Sequence, residues 1–141
     1  MVMKGICFII FLLPSLIGNS KQVGKEAGSC PYEYDSLARM KVYTFVDKQP
    51  EYPGGSPALL NFIAKNFHYP EQDVFQASFQ IQFVIDEHGS VLAARIKGKK
   101  QGELTLAEQE LLKVIYKMPK WKIGKCEGRK VPVKISLPLY L

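Results

Sequence analysis

Between Ala77 and Ile85 the chain alternates with a period of two. Ala77, Phe79, Ile81, Phe83 and Ile85 are apolar, Ser78, Gln80 and Gln82 are polar, and only Val84 breaks the rule. On a strand this period puts the apolar set on one face, whereas on a helix the same residues would spread around the circumference. The segment therefore needs a neighbouring strand and an apolar layer over that face. Glu87-His88-Gly89-Ser90 follows as a tight turn, with Gly89 available for positive φ. Val91 to Lys97 then returns, so the two segments predict an antiparallel hairpin. The end of the chain repeats the pattern. Val131, Val133, Ile135, Leu137 and Leu139 alternate with Pro132, Lys134, Ser136, Pro138 and Tyr140, a last strand with its odd positions toward the core.

Helical spacing appears twice. Ser56-Pro57 suits an N-cap followed by proline in the first helical position, and Leu59, Leu60, Ile63 and Phe67 fall on one face. The spacing predicts a helix over Ser56–Phe67, ended by Tyr69-Pro70, because the residue before a proline avoids the helical region. Thr105-Leu106-Ala107-Glu108 is a capping box, and Leu111, Val114, Ile115 and Met118 make the stripe of a second helix that stops before Pro119. Val42 to Val46 is a short β-branched and aromatic run, read as a first strand, and Trp121 to Lys130 reads as a connection. Residues 21–41 are polar, without an apolar period, and read as an irregular linker. The order predicts an α+β domain over residues 42–141. It should be a small three-stranded, mainly antiparallel sheet with two helices on one face, in βαββαβ-like order with a short first strand.

Residues 1–20 carry a compartment signal. Lys4 is a short positive region, Ile6 to Ile17 is apolar but broken by Pro14 and Ser15, and Gly18 and Ser20 are small residues at the spacing a signal peptidase accepts. This predicts a signal peptide cleaved after Ser20; the rival, an uncleaved anchor, would need about 20 apolar residues. Cys7 leaves with that segment, and Cys30 and Cys126 remain. Paired, they would close a loop of about 97 residues and contribute up to about 4–5 kcal/mol; two separate thiols are the other reading.

Composition excludes two classes. With 47% hydrophobic residues the chain can bury a core, so it is not a disordered polymer. Its net charge is +6, but the basic residues are not packed into one run, which argues against nucleic acid as a partner. Catalytic chemistry finds little support. His68 and His88 are the only histidines, with no HxxxH, CxxC or clustered carboxylates beside them, so neither a metal site nor another cofactor is expected. Cys126 sits among Lys125, Glu127 and Gly128 with no mark of an oriented base. Gly54-Gly55 lacks a P-loop lysine pattern and reads as a turn. No small-molecule substrate is indicated.

The last strand points to binding instead. Successive backbone groups point to opposite sides within the plane of a sheet. Pro132 and Pro138 lack N–H donors and share even parity. A strand proline is tolerated where its missing donor faces an open edge, so the even-numbered side should face out and the odd-numbered side should pair inward. Lys134 and Ser136 would then offer free backbone groups, and β-strand addition is the binding mode this geometry allows. Prolines that only blunt an edge against aggregation would show the same parity.

Four segments carry a resemblance: PEYPGGSPALLNFIAKNFHYP, FQIQFVIDEHGSVLAARI, LLKVIYKMPKWKIGK and GRKVPVKISLPLYL. In this order and spacing, across residues 42–141, the chain resembles the TonB C-terminal domain family, in the Bacteroides-type energy-transducer form. The resemblance implies a periplasmic, non-enzymatic domain, associated with the inner membrane if residues 1–20 are retained. It would grip the TonB box of outer-membrane receptors, work with inner-membrane motor proteins, and support energy-dependent transport. Asn66, His68, Tyr69 and Pro70 match the receptor-contact stretch around the family's Tyr-Pro. The chain departs from the family in its short leader and linker, and in Ile123 where proline is usual. A soluble periplasmic adaptor or decoy with the same fold and no energy coupling is the alternative.

Overall fold

Residues 30–141 are described by a computed structural model, and they form an α+β fold with two helices. β3 (Ser78–Ile85) and β4 (Val91–Ile96) make the expected hairpin, pairing Ile81 with Ile96 and Gln82 with Arg95. Register shifts between Gln82 and Val84, and opposite this Ala93 adopts φ 51°, so the hairpin carries a bulge. In the turn the Asp86 carboxylate accepts the N–H groups of His88 and Ser90, each at 2.8 Å. Glycine is required at the tip for two reasons. Gly89 has φ +84°, and a Cβ there would stand 2.3 Å from the carbonyl oxygen of Trp121, whose own N–H donates to the Gly89 carbonyl at 2.9 Å.

The alternation is realised as expected. Phe79, Ile81, Phe83 and Ile85 are buried and share a core with Ala94, Ile96 and Leu139. α1 (Gly55–Asn66) lays Leu59 and Ile63 on that face, and α2 (Leu106–Tyr116) lays Leu111 and Ile115 there. Each such side chain stabilises the fold by about 1.5–3 kcal/mol. Trp121 joins them edge-on to Tyr52 and Phe83, with ring centroids 5.6 and 5.5 Å away. α2 starts with the predicted capping box, Thr105 and Glu108 each accepting the other's backbone N–H. α1 starts one residue before the expected Ser56 cap. Gly54, at φ +89°, is the N-cap, and Gly55 opens the helix while donating its N–H to the Tyr52 carbonyl.

The sheet is larger than three strands. It has five, in the mixed order β1-β2-β7-β3-β4, with a separate two-stranded sheet of β5 and β6. β1 (Tyr32–Asp35) and β2 (Met40–Tyr43) form an antiparallel hairpin inside the stretch read as a linker, and β2 ends before Thr44 rather than running to Val46. The ordered fold therefore starts ahead of residue 42. Charge, not apolar periodicity, holds this hairpin. Buried Asp35 receives two bonds from the Arg95 guanidinium, at 2.7 and 2.8 Å, an ion pair from Lys134 at 3.1 Å, and the N–H groups of Leu37 and Ala38. Burial works to raise its pKa; the hydrogen bonds from Arg95, Ala38 and Lys134 outweigh that and hold it well below the usual carboxylate range. Arg95 and Lys134 lie on the sheet face opposite the helices, so the hairpin folds across that face.

β5 (Gly124–Cys126) and β6 (Arg129–Val131) lie inside the presumed Trp121–Lys130 connection. Their turn residues Glu127 and Gly128 have φ 50° and 77°, the pair of positive values a type I′ hairpin needs. Residues 48–51 add alongside through antiparallel bridges from Lys48 to Lys125 and from Glu51 to Lys122. The predicted signal segment and its cleavage point lie outside the described residues.

Candidate functional site

β7 (Val133–Tyr140) pairs with β3 along its whole length, from Val133 opposite Ile85 to Tyr140 opposite Ser78. Just beyond it, Leu141 donates its N–H to Ala77 at 2.9 Å. Hydrogen-bonded pairs recur every second residue of an antiparallel ladder, so the odd-numbered groups of β7 serve β3. The even-numbered groups point away from it, and the Pro132 carbonyl accepts the Tyr43 N–H at 2.9 Å on that other side. This is the parity the prolines implied.

That other side is only partly open. β2 meets β7 in parallel at one position, Tyr43 opposite Val133, so the last strand is not an edge at its start. The start includes Lys134, whose backbone groups were expected to be free and which here directly follows the Tyr43–Val133 bridge. Its ammonium is bonded to Glu33 at 2.6 Å and paired with Asp35. From Ser136 to Tyr140 no described strand lies against the even-numbered groups. Ser136 is exposed there, its hydroxyl accepting a 3.2 Å bond from Gln82 Nε2.

The open stretch runs into an apolar groove of about 460 Å³ between α1 and the end of β7, lined by Leu60, Ile63, Ala64, Phe67, Tyr69, Leu139, Tyr140 and Leu141. Three of these, Leu60, Tyr140 and Leu141, are 50%, 72% and 54% exposed, which makes the groove one contiguous apolar surface. Of the four residues around the Tyr-Pro pair, Tyr69 alone lines the groove. Its hydroxyl donates to the Val74 carbonyl at 2.5 Å and accepts the Gln76 N–H at 2.6 Å, which fixes the 70–76 loop beside the groove. Exposed Asn66 donates its side-chain amide to the Phe62 carbonyl, ending the helix, and His68 is exposed with Pro70 half-buried beyond it. Leu60, Tyr140 and Leu141 were not anticipated as site residues. Their signal was an apolar residue too many for the core on one turn of α1, and an apolar chain end.

The loop is also tied to α2. Asp73 accepts the Ala107 N–H at 2.8 Å, and Gln76 donates to buried Glu108, which also receives Lys99 at 2.7 Å. Burial works to raise the Glu108 pKa, but the bonds from Lys99, Gln76 and Thr105 prevail and hold it below the ordinary value.

Cys30 and Cys126 are joined in a disulfide, with Cα atoms 6.1 Å apart. Asp47 lies within 4.8 Å of both sulfurs, but they are bonded to each other and its carboxylate takes the Glu127 N–H, so this trio offers no thiolate to a metal or a substrate. Among the described residues, His88 neighbours exposed Glu87 at 3.5 Å. Among the described residues no helix is long and apolar enough to cross a membrane. No family model, curated protein or solved structure matches the chain.

Proposed function

We propose that this chain is a protein-binding domain of the TonB C-terminal type, which takes up an extended segment of an outer-membrane receptor as an added strand along β7. The observation that carries this reading is the continuity of the unpaired Ser136–Tyr140 edge with the apolar groove under α1. Main-chain bonds along the edge supply affinity, and alternate side chains of the incoming segment enter the groove, the division of labour typical of β-augmentation. Tyr69 lines the groove, which supports a role for the Tyr-Pro stretch, while Asn66, His68 and Pro70 do not line it. The reading places the chain in the periplasm, without catalysis, as part of receptor-dependent transport. Amide hydrogen exchange with and without a TonB-box peptide tests it. Binding should slow exchange at Ser136 and Tyr140; protection confined to residues 66–70 would overturn the strand-addition mode.

A further inference from the structure

The small ladder beside the disulfide contains a row that its own energetics do not explain. Lys48 and Lys125 are directly opposed and exchange both backbone bonds, at 3.1 and 2.9 Å. Lys125 is in turn opposite Lys130 in the β5–β6 hairpin. With the Lys125 backbone groups committed to Lys48, the Lys125–Lys130 pair is the non-hydrogen-bonded kind, whose Cα atoms stand about 4.5 Å apart. Three lysine side chains thus leave one face, their Cα atoms spanning about 10 Å. Like charges directly opposite one another on a sheet are destabilising.

Three described lysines, Lys99, Lys113 and Lys134, each have a carboxylate oxygen within 2.7 Å. Among the described residues none of the three lysines of the row has such a partner. The acids of the same ladder do not answer them. Asp47, next to Lys48 in the chain, is bonded to the Glu127 N–H, Glu127 lies in the turn, and Glu51 is opposite Lys122 further along.

We propose that this row docks the protein on an anionic lipid surface. The row is exposed at both ends and has no enclosing wall of its own, so it suits a surface of many phosphates better than a single small anion. Phe45, three residues before Lys48, is 73% exposed and borders a shallow hollow with Pro31, Tyr32, Glu33 and Thr44. An exposed aromatic ring three residues along the chain from the row suits the boundary where rings enter between headgroups and ammonium groups stay with the phosphates.

Sedimentation of the full chain with phosphatidylglycerol-containing and with pure phosphatidylcholine vesicles at low salt tests this. The apolar N-terminal segment contributes to both, so the ratio of the two partition coefficients reads the charged contact. Each lysine near such a surface contributes about fivefold, so Lys48→Gln/Lys125→Gln/Lys130→Gln should lower the ratio roughly 100-fold. The double variant Lys48→Gln/Lys130→Gln, which changes only exposed positions, should lower it about 25-fold. An unchanged ratio in either folded variant overturns the proposal. So does an equal loss in Lys65→Gln/Lys97→Gln/Lys100→Gln, which would reduce the effect to net charge. Displacement by inorganic phosphate beyond that by chloride of the same ionic strength would assign the row to a free anion. Tighter binding to duplex DNA than to vesicles would assign it to nucleic acid; either result overturns lipid docking.

Discussion

Replacing Ser136 with proline isolates one donor on the proposed binding edge. Along the open stretch the even-numbered groups are those of Ser136, Pro138 and Tyr140. Pro138 has no N–H, so Ser136 and Tyr140 supply the donors available to an incoming strand. Ser136→Pro removes one of them and leaves the odd-numbered bonds to β3 intact, as Pro138 already does opposite Gln80. The net worth of a hydrogen bond is about 0.5–1.5 kcal/mol, so a TonB-box peptide should bind roughly 2- to 13-fold more weakly. Ser136→Ala keeps the N–H and loses only the exposed Gln82 contact at 3.2 Å, so its affinity should stay within about twofold of the parent. Leu137→Pro removes a donor aimed at β3 and should unfold the sheet, which marks the parity from the other side. Calorimetric titration gives the affinities, and circular dichroism confirms that the Ser136 variants fold. Unchanged affinity in a folded Ser136→Pro variant would refute the edge as the site and move the ligand toward His68-Tyr69-Pro70.

Asp35→Ala strands Arg95 and Lys134, both partly solvent-exposed, and should cost about 2–3 kcal/mol in urea unfolding, below the range for fully buried pairs. Because the Asp35 and Glu108 pKa values are lowered in the folded state, that state binds fewer protons than the unfolded chain, so stability should be full above about pH 5 and fall as acid approaches the folded values. Urea midpoints measured from pH 6 to pH 3 should show this decline, flattened in Asp35→Asn/Glu108→Gln. Peptide mapping of the unreduced protein should recover a Cys30–Cys126 cross-linked fragment, and reduction should lower stability by up to about 4–5 kcal/mol.

What could be read in advance followed from short-range repetition. The alternation of Phe79 to Ile85 and of Val133 to Leu139 needs only the strand period, and the α2 cap needs only the spacing of Thr105 and Glu108. The missing donors of Pro132 and Pro138 sufficed for the phase of the free edge. The β1–β2 hairpin was illegible because its hold comes from a buried carboxylate and a disulfide whose partners lie 60 and 96 residues away. β5 and β6 are three residues each, too short for any period to register. The side-chain partners of Lys134 were hidden for a related reason. Its parity was right, but the acids that engage its side chain sit on a hairpin with no local signature. The groove, likewise, exists only once Leu60 and Leu141 meet across the fold.

The position of the disulfide fixes how the fold carries load. A pull on the chain ahead of Cys30 enters the fold at that residue and crosses the sulfur bridge directly to Cys126. Everything between, both helices and the β3–β4 hairpin included, hangs as a closed loop outside the covalent line of tension. From Cys126 the line runs through the short β6 strand and Pro132 into β7, the strand that bears the open edge. A partner held there would be linked to the pulling segment by a tether of few residues that cannot lengthen by unravelling the core. With the bridge reduced, the same pull would peel the β1–β2 hairpin first and pay out slack before any force reached β7.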